Sequence, residues 1–221
     1  FRRGLGAGQA PRVGDQGEFA DHFRAMGAVP HDIELKRTIR CTLGEPTLHI
    51  VDEIINVGNL DTPHMILYHF NFGWPLIDEG TALLWEGAWT AREQGEANKI
   101  FKEGQAFKVC QAPRDDHKGS GEEAAFIDIA ADEQHKSHCA IYNENLGLAL
   151  GLSFDKRQLP WLTNWQHWGK NEYVTALEPA THGIARAIDH GVDEVLRLVL
   201  ALGIQRREEH FPSWPHEGVF T

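Results

Sequence analysis

Two segments of this chain place polar, titratable side chains where a β-strand usually carries apolar ones. Alternation over residues 65–72 puts His69 and Asn71 at the end of one face of an apolar strand. In the segment 173–180, Glu178 extends an apolar stripe by one charged residue. Burial raises the pKa of a carboxyl group, and a histidine titrates near neutral pH. The two segments together therefore predict an acid/base site.

Each of these three residues also has a purely structural interpretation. His69 could be a hydrogen-bonded core histidine, and Asn71 could satisfy backbone groups where a strand ends. Glu178 precedes Pro179 and could be a surface carboxylate at a strand end. Residue type and spacing leave both interpretations open.

Composition restricts the class of function. The 221 residues carry a formal net charge of −11, which disfavours a nucleic-acid binder because such proteins present a basic surface to phosphate. The three cysteines form no CxxC pair, and their odd number disfavours a disulfide framework, so a reducing, cytoplasmic compartment is predicted. No apolar run reaches the length of a membrane span. We therefore expect a small-molecule ligand and neither nucleic acid nor membrane as a partner.

The elements that must position the candidate residues are predicted to be strands. Residues 33–41 alternate apolar and polar side chains, and a turn at Gly44 precedes a return strand over 47–56. Residues 90–123 are charged and glycine-rich, which predicts a long, lid-like surface excursion. Further strands are predicted over 65–72, 124–130, 138–142, 146–154, 161–168 and 173–178. Short strands separated by turns are typical of an all-β sandwich or barrel.

The last forty residues show a different pattern. Apolar residues from Ile184 to Leu202 repeat at helical spacing, with charged residues between them. Gly203 is a suitable residue to end such a helix. The sequence therefore predicts a C-terminal helix packed on the β-structure.

Three short motifs carry a family resemblance: residues 67–73 (LYHFNFG), 155–160 (DKRQLP) and 177–179 (LEP). Together they resemble the aldose 1-epimerase, or galactose mutarotase-like, superfamily and its DUF4432 branch over about residues 33–182. The resemblance implies an antiparallel β-supersandwich that binds a free sugar in a cleft. It also implies that His69 donates a proton to the ring oxygen and that Glu178 removes one from the anomeric hydroxyl, on opposite sides of the sugar.

The mechanism implied by the resemblance needs no metal, nucleotide or covalent intermediate, so no cofactor is expected. His135, His138 and Cys139 lack further ligands at a spacing that would suit a metal. Aromatic rings could stack on sugar C–H faces and polar groups could bind hydroxyls. The candidate substrate-binding residues are Asn71, Trp74, Asp78, Asp155, Arg157, Trp165 and Gln166. Core packing for the tryptophans, a turn at Asp78 and a local ion pair between Asp155 and Arg157 are the structural alternatives.

The chain also departs from the superfamily. A further histidine usually comes from a His-Gly motif on an upstream strand, and residues 1–32 contain no such motif. The chain begins with Phe1, as a processed product or a fragment would. We therefore expect an irregular segment over 1–30, a partial mutarotase-like domain over 31–182 and a helical segment over 183–221. Sheet edges left exposed by a partial fold would favour a homodimer.

Three functions remain open on this basis. The leading hypothesis is an aldose 1-epimerase-like isomerase that interconverts the anomers of a free sugar. The alternatives are a non-catalytic carbohydrate-binding protein and an inactive, truncated remnant. The acid/base pair distinguishes the first from the second, because only an enzyme needs Glu178 to accept a proton.

Overall fold

The computed structural model describes residues 16–26, 32–61, 64–119, 121–183 and 194–204. These residues form twelve strands and two short 3-10 turns, at Gly95–Ala97 and Asp115–His117. The strands are β1 (Gln16–Met26), β2 (Asp32–Thr42), β3 (Thr47–Asn56), β4 (Asn71–Gly73), β5 (Ala82–Trp85), β6 (Gly87–Ala91), β7 (Glu123–Ile129), β8 (Lys136–Asn143), β9 (Leu148–Asp155), β10 (Trp161–Gly169), β11 (Glu172–Ala180) and β12 (Glu194–Ile204). None of the described residues forms a helix long and apolar enough to cross a membrane.

The strands form two sheets in which every pairing between strands is antiparallel. The larger sheet has the order β1-β2-β3-β12-β9-β8-β5, and the smaller one has the order β4-β11-β10-β7-β6. The predicted all-β, antiparallel architecture is confirmed.

One hydrophobic core joins the two sheets. Phe154 of the larger sheet and Leu162, Trp168 and Leu177 of the smaller one are almost completely buried in the same cluster. On β10, Leu162 and Trp168 belong to the core while Thr163 and Trp165 line a pocket on the opposite face, as a strand of period two requires. The other face of the smaller sheet does not pack on this core, so its side chains can line a binding site.

The predicted C-terminal helix is wrong over the residues that the structure describes there. Residues Glu194–Ile204 form strand β12, which pairs with β3 on one side and β9 on the other. A short, nearly continuous apolar run suits a central strand as well as a helix, so its periodicity is ambiguous. Gly203 does not end a helix but pairs with Ala149 within the sheet.

Two other expectations differ in part from the structure. Residues 1–30, expected to be irregular, include the eleven-residue strand β1, which pairs with β2 along its whole length. The excursion over 90–123 is largely at the surface in its described residues, as expected, but Ile100 and Phe101 anchor it in the core. The Glu123 carboxylate accepts hydrogen bonds from the backbone N–H groups of Lys99 and Ile100, which holds this loop against the sheet. The exact domain boundaries stay a prediction.

Candidate active site

The segment that carries His69 lies beside β11, although it joins the regular ladder only at β4. Leu67 forms a bridge with Ala180, and the Tyr68 N–H donates to the Pro179 carbonyl over 2.9 Å. Along the segment, Met65, Leu67 and His69 are exposed while Tyr68 is buried. The predicted alternation is therefore present, and it places His69 next to the strand that carries Glu178.

A polar cluster of half-buried Arg37 and buried Asp52 and Tyr68 holds this segment against the larger sheet. The Tyr68 hydroxyl donates to Asp52 Oδ2 over 2.8 Å, and Arg37 donates two hydrogen bonds to the same carboxylate. The Arg37 guanidinium also lies over the Tyr68 ring, 5.7 Å from its centroid. Burial, with the negative charge of Asp52 second, raises the pKa of Tyr68, so its hydroxyl keeps the proton that it donates. The residue directly before His69 is thus fixed to the larger sheet.

Strand register brings the remaining site residues onto one face of the smaller sheet. Thr163 of β10 pairs with Glu178 of β11 and with Phe126 of β7, while Trp165 pairs with Ala124. Cross-strand partners of this kind point to the same side of a sheet. That face forms a pocket of about 330 Å³, lined by Leu67, His69, Arg92, Glu122, Ala124, Phe126, Thr163, Trp165, Glu178, His182 and Gly183.

His69 and Glu178 meet in this pocket. His69 Nε2 lies 3.1 Å from Glu178 Oε1, and the exposed fractions of the two side chains are 56% and 4%. The two atoms are within ion-pair distance, but they are not aligned as a hydrogen bond. Glu178 Oε1 therefore has no hydrogen-bond partner among the described residues. The sequence suggested an acid and a base on opposite sides of a sugar. In the structure the two side chains contact each other directly, and how they would face a sugar stays a prediction.

The Glu178 carboxyl group has the proton affinity of a neutral-pH acid/base. Burial raises its pKa to about 7, the charge of Glu122 adds to this, and His69 opposes it. A carboxylate partly desolvated in a low-dielectric pocket behaves in this way because water no longer stabilises its charge. Near neutral pH the group can therefore both take and return a proton.

A hydrogen-bonded set of three side chains lines the same pocket. The Trp165 indole N–H donates to Glu122 Oε2 over 2.7 Å, and Arg92 Nη1 donates to Glu122 Oε1 over 2.9 Å. The ring centroids of Trp165 and His69 are 6.4 Å apart at a tilted angle. Trp165, a predicted substrate-binding residue, thus lies beside the predicted proton donor.

Three predicted binding residues lie outside this pocket lining. Asn71 is exposed on β4, and Trp74 is 81% exposed. Asp78 lies in the turn before β5, where its side chain and carbonyl accept the Glu79 and Thr81 N–H groups. Their contact with a substrate stays a prediction.

The other three have structural contacts and also do not line the pocket. Asp155 and Arg157 form a two-point ion pair in the turn after β9, with contacts of 2.9 and 2.6 Å. Gln166 is completely buried on the core side of β10, where it bonds the Phe107 carbonyl and Asn164. No described contact links these residues to the pocket, and a binding role for them stays a prediction.

Sequence reasoning missed Arg92, Glu122 and His182, all of which line the pocket. Arg92 and Glu122 lie near the two ends of the segment 90–123, which the sequence predicts to be a surface excursion. Arg92 directly follows β6 and Glu122 directly precedes β7. Charged residues at the ends of two strands were the feature of the sequence that could have pointed to them. His182 follows β11 by two residues and could have been inferred from its closeness to Glu178. Within the described ranges, no group of three or more potential ligands is placed to hold a metal ion.

One known protein family matches most of this chain. The model of a domain of unknown function, DUF4432, matches residues 23–202. The chain belongs to the DUF4432 family. No curated protein shows significant similarity to it.

Solved structures establish the fold. A protein from Klebsiella pneumoniae described as a candidate aldose 1-epimerase is 24% identical, with a TM-score of 0.71 over 86% of this chain and 51% of its own. A candidate aldose 1-epimerase from Escherichia coli is 12% identical with a TM-score of 0.58, covering 88% of this chain and 67% of its own. A galactose mutarotase-like protein from Clostridium acetobutylicum is 14% identical with a TM-score of 0.57, covering 89% and 65%.

These similarities confirm the galactose mutarotase-like β-supersandwich for this DUF4432 chain. The chain spans about half the length of the Klebsiella protein and about two thirds of the other two. At such low identity the likeness concerns the fold, so any activity must be argued from the pocket itself.

Proposed function

We propose that this DUF4432 protein interconverts the anomers of a free sugar by general acid/base ring opening. The observation that carries the proposal is the pair formed by His69 and Glu178, 3.1 Å apart in an open pocket. The raised pKa of Glu178, about 7, supports a proton-transfer role for that carboxylate. The pocket volume of about 330 Å³ suits a monosaccharide.

The chemistry needs one proton donated to the ring oxygen and one removed from the C1 hydroxyl, and both oxygens are bonded to the same carbon. The Glu178 carboxylate takes the proton of the C1 hydroxyl while protonated His69 donates to the ring oxygen. The bond from C1 to the ring oxygen breaks and C1 becomes a carbonyl. Rotation about C1–C2 and the reverse transfers close the ring with the opposite configuration, so both groups recover their starting states.

The side-by-side placement of the two groups is compatible with this scheme. The C1 hydroxyl and the ring oxygen are both bonded to C1, so an adjacent acid and base can reach one each. The exposed imidazole of His69 can turn away from Glu178 to admit the sugar, because more than half of its surface is free. Trp165 would offer an aromatic surface to the sugar beside His69.

The proposal is tested by following the rotation of freshly dissolved aldoses in the presence of the wild-type protein, Glu178→Gln and His69→Ala. We expect the wild type to accelerate equilibration of at least one common aldose. Each variant should lose about 10²-fold or more of the rate. Glu133→Gln is a matched control, because Glu133 is an exposed carboxylate between β7 and β8. If the wild type does not accelerate anomer equilibration of any common aldose, the proposed enzymatic activity is contradicted.

Affinity separates the alternative functions. Retained sugar binding with no wild-type rate enhancement would indicate a non-catalytic carbohydrate-binding protein, and no thermal stabilisation by any sugar would indicate a remnant. A small sugar as the ligand, a homodimer and a cytoplasmic location are likewise proposals. The location is supported by the three cysteines, all of which are free thiols.

A further inference from the structure

Glu122 bridges two side chains of the pocket wall that are distant from each other in sequence. One carboxylate oxygen accepts the Trp165 indole N–H over 2.7 Å, and the other accepts from Arg92 over 2.9 Å. The Glu122 backbone carbonyl is 3.5 Å from a second Arg92 nitrogen. All three residues line the same pocket.

The bridge extends through a second carboxylate and spans three strands of the smaller sheet. Arg92 also pairs with Glu93, and Glu93 accepts the Ala124 N–H over 3.1 Å. Arg92 follows β6, Glu122 precedes β7, and Trp165 lies on β10. Glu122 is the member of this chain of contacts that joins the guanidinium to the aromatic ring. Removing it would take this acceptor from the indole N–H and would leave Arg92 with its contact to Glu93.

The position of Glu122 also gives it an electrostatic influence on Glu178. The titratable or charged groups that line the pocket with Glu178 are His69, Arg92, Glu122 and His182. Glu122 is the other carboxylate in this set, and its charge raises the pKa of Glu178. Like charges that share a poorly hydrated site disfavour each other's ionised form.

We propose that Glu122 is a positioning residue: its carboxylate fixes the Trp165 indole and the Arg92 guanidinium, and it brings a second negative charge into the pocket that Glu178 lines. This rests on the proposed function insofar as Glu178 is the catalytic base. The two effects, position and charge, are separable by substitution.

Glu122→Gln tests the charge and Glu122→Ala tests the position. Glutamine keeps one oxygen that can accept the Trp165 N–H, but it carries no charge and its NH2 group cannot accept from Arg92, which keeps its contact with Glu93. We expect its sugar KM to stay within about 2-fold of wild type. The acidic limb of its kcat/KM profile should move down by roughly half a pH unit, because Glu178 ionises more easily. Alanine removes the acceptor as well, so we expect its KM to rise about 5- to 20-fold.

Direct titration of the unliganded protein keeps this test independent of the proposed activity. Carbon NMR of the Glu178 carboxyl group should show a lower pKa in Glu122→Gln than in wild type. The Trp165 indole N–H resonance should shift or broaden in Glu122→Ala and stay closer to wild type in Glu122→Gln.

Glu133→Gln is the control and should change neither signal. An unchanged Glu178 titration in Glu122→Gln would overturn the electrostatic role. An unchanged indole resonance in Glu122→Ala would overturn the positioning role. If the wild type is inactive but Glu122→Gln and Glu122→Ala show the two expected NMR changes, the epimerase activity is contradicted while the role of Glu122 is supported.

Discussion

At the scale of single residues, the proposed site depends on the Glu178 carboxylate, whose buried environment disfavours ionisation. Glu178 ends an apolar stripe on β11 and is 4% exposed, so water cannot stabilise its charge. A structural carboxylate at a strand end would be solvated or fully paired. Glu178 Oε1 instead has only the misaligned contact with His69 among the described residues.

The pH dependence of the reaction follows from this environment. The proposed base, Glu178, would be active when ionised, and its pKa is about 7. We therefore expect kcat/KM to fall about tenfold per pH unit well below pH 7 and to level off just above it. Stopped-flow polarimetry across pH 5–8 would measure the limb. A rate that is flat from pH 5 to 7 would contradict the assignment of Glu178 as base.

At the scale of elements, the irregular segment before β4 positions His69, the proposed proton donor, through its buried neighbour Tyr68. Tyr68 is fixed by its hydroxyl to Asp52 and by its backbone N–H to Pro179, so His69 projects from a held backbone. This cluster lies under the segment and does not line the pocket. Its effect on catalysis would therefore be indirect.

Tyr68→Phe tests this link. The substitution removes one hydrogen bond to a buried carboxylate, which we expect to cost about 1–2 kcal/mol of stability. Because His69 loses part of its support, kcat should fall several-fold while KM changes little. Chemical denaturation and steady-state kinetics measure the two effects. Tyr142→Phe on β8 serves as the control, and an unaltered kcat in Tyr68→Phe would contradict the positioning role of the cluster.

Elements also show what the sequence could and could not predict. The period-two pattern correctly separated exposed His69 from buried Tyr68, because alternation depends only on local backbone geometry. Strand β12 was predicted as a helix because its apolar run fits both periods, and its pairing with β3 and β9 is long-range. The contact between Arg92 and Glu122 spans thirty residues of loop, and no local pattern encodes that closure.

At the scale of the whole molecule, the site opposes the stability of the fold. In the unfolded chain a glutamate ionises near pH 4.5, whereas folded Glu178 ionises near pH 7. Between these values the unfolded state binds fewer protons, so stability falls as the pH rises through this window. Asp155 acts in the opposite sense, because Arg157 lowers its pKa to about 2. Its contribution is present above pH 4 and is lost as the pH falls towards 2.

Glu178→Gln should therefore stabilise the protein at alkaline pH. At pH 8 the variant carries no buried charge at this position, and we expect its free energy of unfolding to exceed that of wild type by about 1–3 kcal/mol. At pH 4, where wild-type Glu178 is protonated in both states, the two proteins should differ little. Urea denaturation at the two pH values measures this, and equal stabilities at pH 8 would contradict the raised pKa.

The central claim is that His69 and Glu178 transfer protons to and from a bound sugar. The most direct measurement is NMR saturation transfer between the two anomers of an equilibrated aldose, with wild type and Glu178→Gln at equal concentration. The account predicts anomer exchange with wild type that drops at least about 10²-fold in Glu178→Gln, although the variant still binds the sugar. Equal exchange rates in the two proteins would contradict it.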